Sequence, residues 1–220
     1  RIYVKPNFYP GKPSVVPWKE RKPHVVFVGR LTAEKGIRSL LTAWKLWGSN
    51  APLLQLVGDG EMRKELAEMS AGLPIKFLGQ VSSTEAQAHI ANARLLVLPS
   101  ECFEGFPMVI REAFAFGTPI AVSNIGPLPS IVQHGKNGVV FEPENPQSLL
   151  NTVRTAWESP NLLEKMGTGA RAEFESKYTE DVNYKILMNI YEKAIARSKR
   201  EMRREKQLMV DGQNKTNVHT

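Results

Sequence analysis

"HVVFVGRLTAEKGIRSLLTAW", residues 24–44, carries the reading on which the fold turns. His24 to Val28 is a short run of apolar, mostly β-branched residues ended by Gly29, the composition of a strand. From Lys35 to Trp47 the apolar residues Ile37, Leu40, Leu41 and Trp44 recur at three- and four-residue steps, the spacing of one helix face. A strand, a short polar loop and an amphipathic helix in about two dozen residues make one βα unit.

The same rhythm recurs on the C-terminal side. Further short apolar runs lie at Leu53 to Val57, Ile75 to Leu78, Leu95 to Leu98, Ile120 to Ser123 and Val139 to Glu142. Nearly continuous apolar runs suit strands covered on both faces, as in a parallel sheet. Between them lie helical patterns at Glu61 to Met69, Thr84 to Ala93, Pro107 to Phe116 and Pro146 to Trp157. Alternation of this kind predicts an α/β fold, a doubly wound parallel sheet, closed by C-terminal helices at about Leu162 to Tyr178 and Asp181 to Lys206. On the N-terminal side, Pro6, Pro10, Pro13, Pro17 and Pro23 disfavour regular structure, so residues 1–23 read as a linker. Residues 24–192 form the domain, and residues 193–220 a basic helix end with a tail expected to be disordered from Met209.

The 220 residues supply ample chain for a core, and no apolar run approaches the roughly 18 residues of a membrane span. The first residue is Arg rather than Met, so the reading expects a longer parent chain. Cys102 is the single cysteine, which rules out an intrachain disulfide and fits a reducing, cytoplasmic compartment. The net charge of +7 is uneven. Seven basic residues from Lys193 to Lys206, against Glu201 and Glu205, leave +5 there and +2 elsewhere. Such a helix end is either a solvated charged face or a peripheral contact with anionic membrane at its inner surface. No aromatic residue interleaves after Tyr191, against a nucleic-acid partner.

In an open parallel sheet, ligands bind beyond the carboxyl ends of the strands, where helix N-termini present free N–H groups. Four such junctions carry candidate residues. In "VGRLTAEKG", Arg30 and Lys35 after Gly29 are either a diphosphate site or surface charges. In "VGDGEM", Gly58 and Gly60 allow close approach to a ligand, or make a tight turn with Asp59 as helix cap. In "FLGQVSSTE", the Gly79 to Val81 backbone meets a base, or is a plain loop whose Ser83 or Thr84 caps the next helix. In "ECFEGFPMVIREAFAFGTP", residues 101–119, Pro107 suits a helix start and Gly117 the position after its end. Glu104 then precedes the helix, and Glu112 leans back toward its mouth from the second turn. Each carboxylate accepts a pair of hydroxyls well, as on a sugar. The alternative is that Glu112 pairs with a basic residue and Glu104 is solvated.

"FVGRLTAEKG", "LVGDGEM", "FLGQVS", "LPSECFEGFPMVIREAFAFGTPIAVSNIG" and "IVQHGKNGVVFEP" occur in order and spacing that resemble the C-terminal, donor-binding half of a GT-B retaining glycosyltransferase, the group often called family 4. The resemblance runs from about Val4 to Tyr191, and "VKPNFYPG" with Asn7 is similar to that family's interdomain hinge. It implies a Rossmann-like half domain and a nucleotide-diphosphate sugar as donor substrate. An N-terminal acceptor-binding domain is expected before Arg1. Arg30 and Lys35 would hold the donor diphosphate and, with Glu104, form the catalytic set. Glu104, first of a Glu-x7-Glu motif, would contact the transferred sugar, and Glu112 the ribose. Gly105, Phe106, Pro107, Met108 and Val109 would surround sugar and phosphate, Gly29 and Gly58 would line the donor site, and Val81 would meet the base through its backbone.

The resemblance implies neither cofactor nor metal. Asp59, Asp181 and Asp211 are the chain's aspartates, and they form no Asp-x-Asp pair. One departure is Ser130, in "GPLPSIV", where the family often has a glutamate. Two other readings stand beside the transferase: a nucleotide-sugar epimerase of the same fold, and a non-catalytic donor-like interaction module. A nicotinamide-dependent enzyme lacks its feature, since no Gly-x-Gly-x-x-Gly follows the first strand.

Overall fold

The computed structural model describes residues 2–216, with side chains for residues 2–205. Six strands form one sheet: β1 (Lys22–Val28), β2 (Leu53–Val57), β3 (Ile75–Gly79), β4 (Ala93–Leu98), β5 (Ile120–Ser123) and β6 (Gly138–Phe141). All neighbours pair in parallel, in the order β3-β2-β1-β4-β5-β6. Chain direction across the sheet therefore reverses between β1 and β4, and the carboxyl edge beside such a reversal is where ligands bind in open parallel sheets.

Alternate residues of each strand enter opposite layers. Val25 and Phe27 of β1 join one apolar cluster, with Leu54 and Leu56 of β2 and Leu95 and Val97 of β4, while Val26 joins the other, with Leu96 and Leu98. Helices α1 (Ile37–Trp47), α2 (Arg63–Met69) and α6 (Pro146–Trp157) cover the first face. Helices α3 (Ser83–Asn92), α4 (Met108–Ala115) and the short α5 (Leu128–Ile131) cover the second. Helix α7 (Pro160–Lys177) closes the β6 side, giving Leu163 and Met166 to one layer and Ala170 and Phe174 to the other. Burial on both faces explains why the strands read as continuous apolar runs.

Local signals place several boundaries away from their expected residues. Lys35 lies in a 3-10 turn, Ala33–Lys35, and α1 begins only at Ile37. Ser82, not Ser83 or Thr84, caps α3, and it does so reciprocally with Glu85. Asp59 does not cap α2, whose N-cap is Met62. Its carboxylate accepts instead from Gly60 N at 2.8 Å. The last helix, α8, runs Glu180–Thr216, past Lys206 where its end was expected. Residues 217–220, the end of the expected tail, lie outside the described residues. From Tyr191 to Glu205 every residue of α8 is exposed, so the basic cluster faces solvent as far as its side chains are described.

The proline-rich N-terminal segment has one 3-10 turn, Trp18–Glu20, and is otherwise irregular. It is nonetheless tied down. Tyr9 N donates to Tyr178 O at 3.0 Å, and the Tyr9 ring packs edge-on against Phe116 and Phe174. Lys5 donates to Asn183 Oδ1 at 3.0 Å, and Asn183 Nδ2 to Pro6 O at 2.8 Å. Arg21, 3% exposed, donates to Val16 O, Ala93 O, Phe116 O and Thr118 Oγ1. It binds the segment to the starts of β4 and β5.

Candidate active site at the sheet reversal

The carboxyl ends of β1 and β2 interlock through their backbones. Gly29 N donates to Val57 O at 3.0 Å, Leu31 N to Asp59 O at 2.9 Å, and Gly58 N to Gly79 O at 2.8 Å. Gly58 has φ 129°, and a Cβ there would lie 1.9 Å from Gly29 O. Gly58 is thus required for backbone to meet backbone, whatever else approaches it. The result is a cleft of about 560 Å³ lined by Gly29, Arg30, Gly58, Val81 and, beyond the expected residues, Asp59 and Gln80. Four expected residues, from three strand ends, therefore share one cavity.

Lys35 and Glu104 meet directly. Lys35 Nζ lies 2.9 Å from Glu104 Oε1, with side chains only 18% and 13% exposed. The Ser100 hydroxyl donates to the same oxygen. The approach depends on Gly36. Its φ is 66°, and a Cβ there would stand 1.8 Å from Pro99 O, so only glycine lets the loop after β1 pack on the loop after β4. Arg30 is different. Its side chain is 74% exposed and pairs with Glu34 at 3.6 Å, an exposed contact that contributes little to stability. Its guanidinium is free to turn toward a ligand in the cleft.

Glu112, on α4, is half-buried and does not line that cleft. Gln87 Nε2 donates to it at 3.4 Å, and Tyr9 OH donates to Gln87 Oε1 at 2.9 Å. Burial, only partly offset by Gln87 and Arg111, raises its pKa above the usual carboxylate range. The alternative pairing drawn from spacing is thus inverted: Glu104 holds the cation and Glu112 has no salt bridge among the described residues. Between them, α4 starts at Met108 with Pro107 as N-cap and no capping side chain; Ile110 N donates to Pro107 O at 3.1 Å, and the N–H groups of Met108 and Val109 remain available. Gly105 stands in open space. Phe106 turns away, packing on Tyr178 at 5.4 Å, and Val109 packs on the core, so these two can offer a ligand backbone only. Met108 is exposed, its sulfur 3.6 Å from Asn7 Nδ2.

Ser100, Gln87 and Tyr9 were not expected at the site. Ser100 is fully buried, and the one signal the sequence offered for it was a polar residue just after an apolar run. Ser130, at the departure from the family pattern, is exposed and donates to Pro127 O at 2.6 Å. Among the described residues, no three His, Cys, Asp or Glu side chains gather as a metal site, and no helix is long and apolar enough to cross a membrane.

An uncharacterized glycosyltransferase of Methanocaldococcus jannaschii is 33% identical over 176 residues, 78% of this chain and 45% of that protein. The Anabaena protein HepE, solved in complex with UDP-glucose, superposes with a TM-score of 0.66 at 27% identity, over 76% of this chain and 48% of its own. The solved C-terminal domain of a glycosyl transferase group 1 family protein from Francisella tularensis shares the fold, at a TM-score of 0.65 and 21% identity, over 79% of this chain and 96% of that one. The chain spans less than half the length of the curated relatives it matches. Residues 11–173 match the family described as glycosyl transferases group 1. With its sheet order and the reversal-point site, this match places the chain in that family: it belongs to the glycosyl transferases group 1.

Proposed function

We propose that this chain is the donor-binding half of a retaining glycosyltransferase, which takes a sugar from a nucleoside diphosphate. The observation that carries the reading is the Lys35–Glu104 pair at the sheet reversal, beside the cleft lined by Gly29, Arg30, Gly58 and Val81. In this reading the base lies along the Val81 backbone, and Glu112 accepts from the two ribose hydroxyls. Arg30 and Lys35 meet the diphosphate and stabilise the charge that grows on it as the glycosidic bond breaks. The open N–H groups at the start of α4 add to that field. Glu104 accepts from sugar hydroxyls. With a cation and a hydroxyl already on one oxygen, it suits hydroxyl recognition better than covalent attack, in keeping with front-face transfer assisted by the leaving phosphate. A preceding domain supplies the acceptor, so the chain alone binds donor without transferring sugar.

HepE, named as a complex with UDP-glucose, supports a nucleotide-sugar ligand. Calorimetry of the 220-residue chain with UDP, GDP and ADP, then with their sugars, tests the reading. One nucleotide is expected to bind, equally with and without a chelator. Glu104→Gln should weaken the sugar-bearing ligand selectively, and no binding by any of the six would overturn the proposal.

A further inference from the structure

Ser100 is fully buried, two residues past the end of β4. A buried hydroxyl needs a partner, and Ser100 donates to Glu104. Lys35 donates to the same oxygen, Oε1. Among the described residues no group bonds the other oxygen, Oε2. A carboxylate gripped twice through one oxygen cannot rotate without breaking both bonds, so Oε2 keeps a fixed aim.

The support beneath is rigid. Glu101 N donates to Glu34 O at 2.9 Å, and Ser39 Oγ to Glu101 Oε1 at 2.5 Å. With the backbone contact at Gly36, these bonds clamp the loop after β4 to the loop after β1. The two donors on Glu104 differ in one respect. Lys35 is a cation on a flexible stem, and an arriving diphosphate draws it away from the carboxylate. Ser100 is buried, neutral and short, and it stays.

We propose that Ser100 is a positioning residue: it anchors the Glu104 carboxylate once the diphosphate has engaged Lys35, and thereby sets the preference for a sugar-bearing nucleotide over the bare nucleoside diphosphate. The inference rests on the donor-site reading above. It adds that discrimination between loaded and spent nucleotide depends on a hydroxyl that touches neither.

The test is calorimetry of the chain and its Ser100→Ala and Ser100→Thr variants, using whichever of UDP, GDP or ADP binds the unmodified chain, and then that nucleotide's glucose or mannose derivative. Ser100→Ala should weaken the nucleotide sugar about ten-fold, the worth of a hydrogen bond to a charged group, and leave the bare diphosphate within about two-fold. Ser100→Thr, which keeps the hydroxyl, should restore the discrimination. If its extra methyl unfolds the chain, Ser100→Cys, a weaker donor, should fall between serine and alanine. An unchanged ratio in Ser100→Ala, or an equal loss for both ligands, overturns the inference. Failure of the unmodified chain to bind any nucleotide overturns the donor-site reading itself, a separate result.

Discussion

Glu104 and Glu112 sit eight positions apart and meet opposite surroundings. Glu104 has a cation and a hydroxyl, whereas Glu112 has burial and one long hydrogen bond from Gln87. A half-buried carboxylate whose pKa is raised disfavours its own ionised form, so at neutral pH its charge costs the fold stability. That cost is relieved as pH falls through the raised pKa. Glu112→Gln should therefore do two things at pH 7. It should raise Tm slightly and, on the proposed donor-site reading, weaken nucleotide binding about ten-fold, because the charged acceptor for the ribose is gone. Thermal melts and calorimetry on the same sample check both signs, and a lower Tm would show that the charge has a stabilising partner. For the unmodified chain, nucleotide affinity should begin to fall on acidification at a higher pH than an ordinary glutamate would give.

At the scale of elements, the N-terminal segment shows how far composition reaches. Pro6, Pro10, Pro13 and Pro17 lie outside helices and strands, whereas Pro23, expected in the linker, lies inside β1. They do not reveal that the segment is held down, because these hydrogen-bond and ring partners lie about 80 to 180 positions away. Arg21 is the main fastener. Burial lowers its pKa to about 10, so it stays charged at neutral pH and every donor it has needs an acceptor. Arg21→Met should destabilise the fold by about 3 kcal/mol, since it leaves buried carbonyls of three segments unpaired. Arg21→Lys should recover little of this, because one ammonium cannot span acceptors that a planar guanidinium forks between. Urea denaturation of the two variants measures both effects. A loss below about 1 kcal/mol for Arg21→Met would mean that water replaces the fork.

Across the whole molecule, acid should find one specific weakness. His24 lies in β1, 3% exposed, with Nε2 buried and unpartnered. Burial first, then the charges of His89 and Lys22, push its pKa from 6.5 down to about 4. The unfolded chain protonates His24 below about 6.5 while the fold holds it neutral. Its share of stability is complete above that pH and is lost as pH falls toward 4, by at most about 3 kcal/mol. His24→Leu should flatten the decline in Tm between pH 6.5 and 4.5, and an unchanged slope would place the acid sensitivity elsewhere. What the amino-acid sequence determined alone was the set of parts. Strands covered on both faces must be continuously apolar, helices must carry a stripe, and turns with positive φ favour glycine, so six strands and every helix but the short α5 were legible, to within a few residues except at the end of α8. On the proposed donor-site reading the types of site residue follow from the ligand, because a diphosphate calls for cations and hydroxyl pairs call for carboxylates. Which of them touch was decided by tertiary structure. Lys35 and Glu104 are 69 positions apart and become partners only because β1 and β4 lie side by side where the sheet order reverses. Ser100, Gln87 and Tyr9 join the site through packing, and burial separates one glutamate's electrostatics from the other's. Local sequence encodes a residue's preferences, but its neighbours and its share of water are set by long-range strand pairing.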